Sequence, residues 1–151
     1  MKNKLMKNNP IKQGEEILEY IPQRAPFVMV DKVFEKGDNY LISGFSIKSD
    51  NILVSDGYFQ EGGLAENIAQ TAALLAGTKF RDNGKEVPVG YIAGIKNLTI
   101  LKLPTSGTEV YTKTTITHDM MNIQVVEGEV FDENDQKIAG CELRIFIKGE
   151  E

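Results

Sequence analysis

GLAENIAQTAALLAGTKF, residues 63–80, is the stretch on which the fold turns. Leu64, Ile68, Thr71, Ala72 and Leu75 recur at steps of three and four, which places them on one face of a helix. Ala65, Ala69, Ala73 and Ala76 flank that stripe with small side chains, so a sheet can approach the helix closely and wrap it. Asp82-Asn83-Gly84 is a polar turn that ends the helix.

Outward from this helix, the pattern is β on both sides. Upstream, residues 15–20 form a short helix with Ile17, Leu18 and Ile21 on one face, and Pro22 and Pro26 bracket a turn. Residues 27–34 and 40–47 read as strands around a Gly37-Asp38-Asn39 turn. Residues 51–62 are irregular. Downstream, residues 89–101 make one long strand with a bend at Gly94, followed by strands at 109–117 and 123–131 around a turn at His118-Asp119. Asp132 to Gln136 is rich in turn formers. Ala139, Cys141, Leu143, Ile145 and Ile147 then alternate with Gly140, Glu142, Arg144 and Phe146, the period of a half-buried strand. One long helix beside a run of long antiparallel strands predicts an α+β layer architecture. A single domain is expected over 13–151, preceded by a disordered polar tail at 1–12.

Composition narrows the function. The 151 residues suffice for one domain with a proper core. Hydrophobic residues at 41% and charged residues at 26% are ordinary for a soluble globular protein. A net charge of −5 argues against nucleic acid, which needs a basic patch, but leaves room for an acidic carrier protein docked on local lysines. The one cysteine, Cys141, lies in an alternating strand and reads as a small core residue, with no internal disulfide to form. No apolar run approaches the ~20 residues of a membrane helix, and Lys2, Lys4 and Lys7 have no apolar stretch behind them to make a secretory signal. A cytoplasmic protein without membrane insertion is expected. There is no metal-ligand cluster, phosphate loop or nucleophile elbow, so neither a metal nor another cofactor is expected. Asp132, Glu133 and Asp135 lack calcium-loop spacing and read as a solvated hairpin tip.

Four motifs, in order, then give the pattern a family. Ile17-Leu18-Glu19-Tyr20-Ile21-Pro22-Gln23-Arg24-Ala25-Pro26-Phe27-Val28-Met29-Val30-Asp31-Lys32-Val33 resembles the opening of the 3-hydroxyacyl-acyl-carrier-protein dehydratases, roughly I-L-x-x-L-P-H-R-x-P-F-L-L-V-D-R-V. Glu66-Asn67-Ile68-Ala69-Gln70 resembles their E-A-x-A-Q, and Ile92-Ala93-Gly94-Ile95-Lys96 their x-A-G-I-D/K strand. Leu103-Pro104 and Ser106-Gly107-Thr108 resemble R-P-V-x-P-G-D. The matches run from Ile17 to Lys148. The resemblance implies a hotdog fold, a long antiparallel sheet wrapped around the central helix. It also implies a homodimer with the acyl site between subunits, in some relatives a trimer of dimers. A heterodimer with another hotdog subunit is the alternative.

Dehydration of a 3-hydroxyacyl thioester needs a base for the α-proton, an acid for the departing hydroxyl and donors for the thioester oxygen. In the resembled family a histidine and the helix carboxylate work as a pair across the interface. Glu66 holds the carboxylate's position, with Gln70 four residues on along the same face, both turned away from the Leu64/Ile68/Leu75 stripe. Glu66 can alternatively complement the helix dipole. The histidine is missing. The family reads G-H-F-P-G-x-P-x-x-P-G-V-L-x-x-E, and aligning Gly57 and Phe59 puts Tyr58 where the imidazole belongs, in a shortened loop. Gln23 replaces the earlier P-H-R histidine, and the only histidine, His118, lies far along the chain. A phenol with a pKa near ~10 is a poor base beside an imidazole near ~6.5, so Tyr58 is an acid, a hydrogen-bond donor or packing at the site mouth. Gly62 and Gly63 offer free N–H groups for an oxyanion, or a plain helix entry. With Phe59, Gln70 and Gly94, these glycines make the expected substrate-binding set. Three functions compete: a dehydratase-like protein for acyl thioesters on carrier protein or CoA, a thioesterase using Glu66 alone, and a non-catalytic acyl- or partner-binding subunit.

Overall fold

The computed structural model describes residues 9–148. The strands are β1 (Lys12–Gln13), β2 (Lys32–Lys36), β3 (Tyr40–Ser46), β4 (Val54–Ser55), β5 (Tyr58–Phe59), β6 (Gly90–Ile100), β7 (Glu109–Met120), β8 (Ile123–Phe131) and β9 (Lys137–Ile147). A 3-10 turn spans Gly14–Glu19, and the central helix α1 spans Glu61–Arg81. A seven-stranded sheet runs β1-β2-β3-β7-β8-β9-β6, antiparallel at every ladder. It curls around α1, which packs most closely on β3 and β7 and only at its margin on β6 and β9. This is the hotdog arrangement. The stripe expected to face the core does so: Leu64, Ile68, Thr71, Ala72 and Leu75 are all buried.

Three local expectations are corrected. Residues 27–31 are not a strand; β2 begins at Lys32. The reason is that no neighbouring strand serves Met29. Its N–H donates to Gln70 Oε1 at 2.7 Å and its carbonyl accepts from Asn67 Nδ2 at 2.7 Å, so side-chain amides of α1 replace the ladder. His118 is not in a turn. A register shift between Ile116 and His118 lets β7 continue to Met120, and the chain reverses at Met121 and Asn122, with Met121 in the left-handed region at φ 52°. Residues 51–62 hold the small β4–β5 hairpin. At the amino end, Ile11 N–H already donates to the Val33 carbonyl at 2.8 Å, and β1 starts at Lys12. The remainder of the expected tail, residues 1–8, lies outside the described residues.

Close approach to α1 is achieved by glycines rather than by the alanines. A Cβ on Gly128 of β8 would sit 2.3 Å from Ile68, and one on Gly77 of α1 would sit 2.2 Å from the Tyr20 carbonyl oxygen. A buried polar string ties the helix to the sheet. Thr112 Oγ1 bonds Asn67 Oδ1 at 2.5 Å, Thr71 Oγ1 donates to the Asn67 carbonyl at 2.7 Å, and Ser43 and Thr71 share a hydroxyl contact at 2.7 Å.

This packing makes three substitutions informative about stability. Gly77→Ala forces a methyl into backbone that cannot step aside and is expected to cost about 1–3 kcal/mol. Gly62→Ala, whose Cβ would meet nothing within 4 Å, is expected to be neutral or slightly stabilising. Urea titration of both variants checks the contrast. Asn67→Leu strands the Met29 carbonyl and the Thr112 hydroxyl and should lower stability by about 2–4 kcal/mol, read as a fall in the urea midpoint at unchanged slope.

Candidate active site

Beside α1 runs a groove of about 940 Å³, whose helical wall is Glu66, Ala69, Ala72, Ala73 and Ala76. The alanines at steps of three and four thus border an open lane, while Ala72 is buried and Ala69 and Ala73 also pack on the core. The opposite walls are the 20–24 segment and the inner faces of β6 and β9, including Ile92 and Ile145. From Glu66 to Ala76 is ten residue steps of helix, a rise of about 15 Å along the lane. It is apolar with a carboxylate near one end, the shape of a site for an extended chain bearing a reactive head.

Glu66 is half-buried, and Gln70 Nε2 donates to its Oε1 at 2.8 Å. Gln70 itself is fully buried. Its second N–H donates to the Phe27 carbonyl at 2.8 Å, and its oxygen accepts from Met29 N–H at 2.7 Å. It lies behind Glu66 and within the protein, whereas the helical period placed both side chains on an outward face. Hydrogen bonds to the backbone of residues 27 and 29 offset the desolvation cost and hold Gln70 inward, while Glu66 one turn earlier remains at the groove.

Tyr58, Phe59, Gly62 and Gly63 gather at the N-terminal end of α1, about one helical turn before Glu66, outside the residues lining the groove. Tyr58 is 46% exposed on β5 and bridges to Thr105. Phe59 is wholly buried, its ring 5.6 Å from Phe45, and a Cβ on Gly63 would sit 2.5 Å from it. That ring accounts for glycine at position 63. Gly63 N–H donates to the Gln60 carbonyl at 2.9 Å, which leaves Gly62 as the exposed donor at the helix entry. Gly94 lies within a register shift of β6, between Ile92 and Gly94 against β9. His118 is exposed on β7 and does not line the groove. Burial pushes the Cys141 thiol up to about 11, so it is not a thiolate nucleophile at neutral pH.

Gln23 is the residue that sequence reasoning passed over. It lines the groove, and its Oε1 is buried without a hydrogen-bond partner among the described residues. Its place in the P-H-R motif was the available signal.

One side of the groove is unfinished. Ile92 and Ile95 of β6 are register partners of Ile145 and Leu143, on the face turned to α1, yet both are exposed because the helix stops short of them. Among the described residues β6 pairs with β9 alone and presents an open edge of 11 residues. Among the described residues no helix is long and apolar enough to cross a membrane, and no group of three or more His, Cys, Asp or Glu gathers to hold a metal.

Comparison with known proteins agrees with this geometry. A 3-hydroxyacyl-acyl-carrier-protein dehydratase FabZ of Aromatoleum aromaticum is 30% identical over 119 residues, covering 75% of this chain and 82% of that protein. Among solved structures, the dehydratase heterocomplex ApeI:P from Xenorhabdus doucetiae superposes with a TM-score of 0.80 at 17% identity, over 95% of this chain and 94% of that one. A hypothetical thioesterase with coenzyme A from Streptococcus pneumoniae shares the fold with a TM-score of 0.65 at 13% identity, over 79% and 86% of the two chains. The family model described as ApeP-like, ApeP dehydratase, matches residues 15–150. The chain belongs to the ApeP-like dehydratase family and has the hotdog fold.

Proposed function

We propose that this chain supplies the carboxylate half of a two-subunit site that acts on 3-hydroxyacyl thioesters, removing water to leave a 2-enoyl thioester. The single observation that carries the reading is Glu66, held by Gln70 at the end of an alanine-lined groove. In the forward step a base takes the α-proton, the Cα–Cβ double bond forms and the Cβ–O bond breaks. The protonated Glu66 carboxyl gives its proton to the departing hydroxyl, which leaves as water. Gly62 N–H is the available donor for the thioester oxygen.

The base comes from a second subunit. The exposed inner face and open edge of β6 favour a partner docked there, which also completes the groove. That partner is a second copy of this chain, where Tyr58 or a water covers for the missing imidazole, or a related hotdog chain bringing a histidine. The heterocomplex found among the structural neighbours supports the second arrangement. A trimer of dimers is compatible with either. The acyl group rides on carrier protein or CoA, and the setting is the cytoplasm.

The missing imidazole favours a second reading. A lone carboxylate suffices to hydrolyse a thioester, and the fold shared with a thioesterase supports it.

The test is direct. The protein, alone and co-expressed with a histidine-bearing hotdog partner, is assayed on 3-hydroxyacyl thioesters of carrier protein and CoA. Enoyl product is expected, reduced by about 10²–10⁴-fold in Glu66→Gln. Ala76→Phe should depress turnover of long chains while sparing short ones. Thiol release in place of enoyl product would make the chain a thioesterase. Turnover indifferent to Glu66→Gln would remove the site.

A further inference from the structure

The hydrogen bonds around Gln70 determine more than the position of Glu66. Oxygen and nitrogen of a side-chain amide are assigned from their partners, and here the partners admit one assignment. Met29 N–H can only donate, so the atom 2.7 Å from it is the Gln70 oxygen. The Phe27 carbonyl can only accept, so the atom 2.8 Å from it is the nitrogen. The remaining N–H of that nitrogen points at Glu66 Oε1, 2.8 Å away. The Met29 N–H and the Phe27 carbonyl, which have no other hydrogen-bond partner among the described residues, thereby set the polarity of a contact at the groove.

We infer that Gln70 is a positioning residue that fixes Glu66 Oε1 as an acceptor, leaving Oε2 as the oxygen that carries and transfers the proton. In a carboxylic acid the carbonyl oxygen is the better acceptor, so an N–H held against Oε1 favours the proton on Oε2. When Glu66 delivers its proton, the Oε2–H bond breaks, its electron pair stays on Oε2, and the carboxylate remains anchored through Oε1. Rotation of the carboxyl, which would exchange the oxygens, requires breaking the bond to Gln70. The proton is therefore delivered from one defined point on the groove wall. This deepens the preceding reading and rests on it for its chemistry, though the hydrogen-bond polarity stands apart from any reaction.

The test uses two readouts. Protein labelled with ¹³C in its glutamate carboxyls gives the Glu66 infrared bands as the difference between parent and Glu66→Gln. Gln70→Met removes the donor, and those bands are expected to shift. Ser43→Ala, which removes a buried hydroxyl contact to Thr71 of α1 without touching Glu66 or the hydrogen bonds of Gln70, should leave them in place. In turnover of 3-hydroxyacyl thioesters, Gln70→Met is expected to lose up to about 10²-fold in kcat with KM within twofold, and Ser43→Ala to keep its kcat. Where Gln70→Met fails to fold, the side-chain ¹⁵N–H resonances of Gln70 in the parent, compared with those in Glu66→Ala, read the same contact, and one of the two is expected to move. Unmoved Glu66 bands, unmoved Gln70 resonances, or equal kcat losses in Gln70→Met and Ser43→Ala would overturn the inference. Shifted bands in a protein with no Glu66-dependent turnover would uphold the hydrogen-bond assignment and reject the functional reading instead.

Discussion

Two amide side chains, Asn67 and Gln70, carry the arrangement. They stand three residues apart on α1 and hydrogen-bond the backbone at residues 27 and 29, where a neighbouring strand would otherwise be required. Buried backbone groups without partners are costly, so the segment can leave the sheet only because these amides receive it. The residues before it, 20–24, make one wall of the groove. The same Gln70 holds the carboxylate on the helical wall. Segment and reactive group are thus joined through a few hydrogen bonds made within one helical turn.

The small residues divide their work. Glycines at 63, 77 and 128 stand where a ring, a carbonyl and a branched side chain press against their Cα atoms. Alanines at 69, 73 and 76 are half-buried, Ala69 and Ala73 packing partly on the core, and their small side chains border the groove. Exchanging the two classes would defeat both purposes. A methyl at a glycine position overpacks the core, while larger side chains at the alanines would fill the lane.

Much of this was legible in the residues. Period and composition located α1, the strands at 40–46 and 123–131, and the core role of Cys141, because burial imposes periodicity on whichever residues it selects. The motif order led to the family and to Glu66. Residues 27–31 misled because Phe27, Val28, Met29 and Val30 are β-formers, and an extended segment bonded to side chains has the composition of one bonded to a strand. Gln70 misled in the other sense: helical period reports which way a residue points, not whether something polar awaits it inside. Gln23 was visible as a departure from a motif, but its unpartnered oxygen appears only once the groove walls are assembled.

The uncovered margin of β6 bears on how such a chain must be supplied. An 11-residue strand with open backbone and exposed Tyr91, Ile92, Ile95 and Leu98 invites indiscriminate pairing with any free edge in the cell. If β6 docks on a partner as proposed, copies made in excess of that mate are the ones at risk of clumping and of proteolytic clearance. Balanced synthesis, with assembly soon after release from the ribosome, is the condition under which this design is safe.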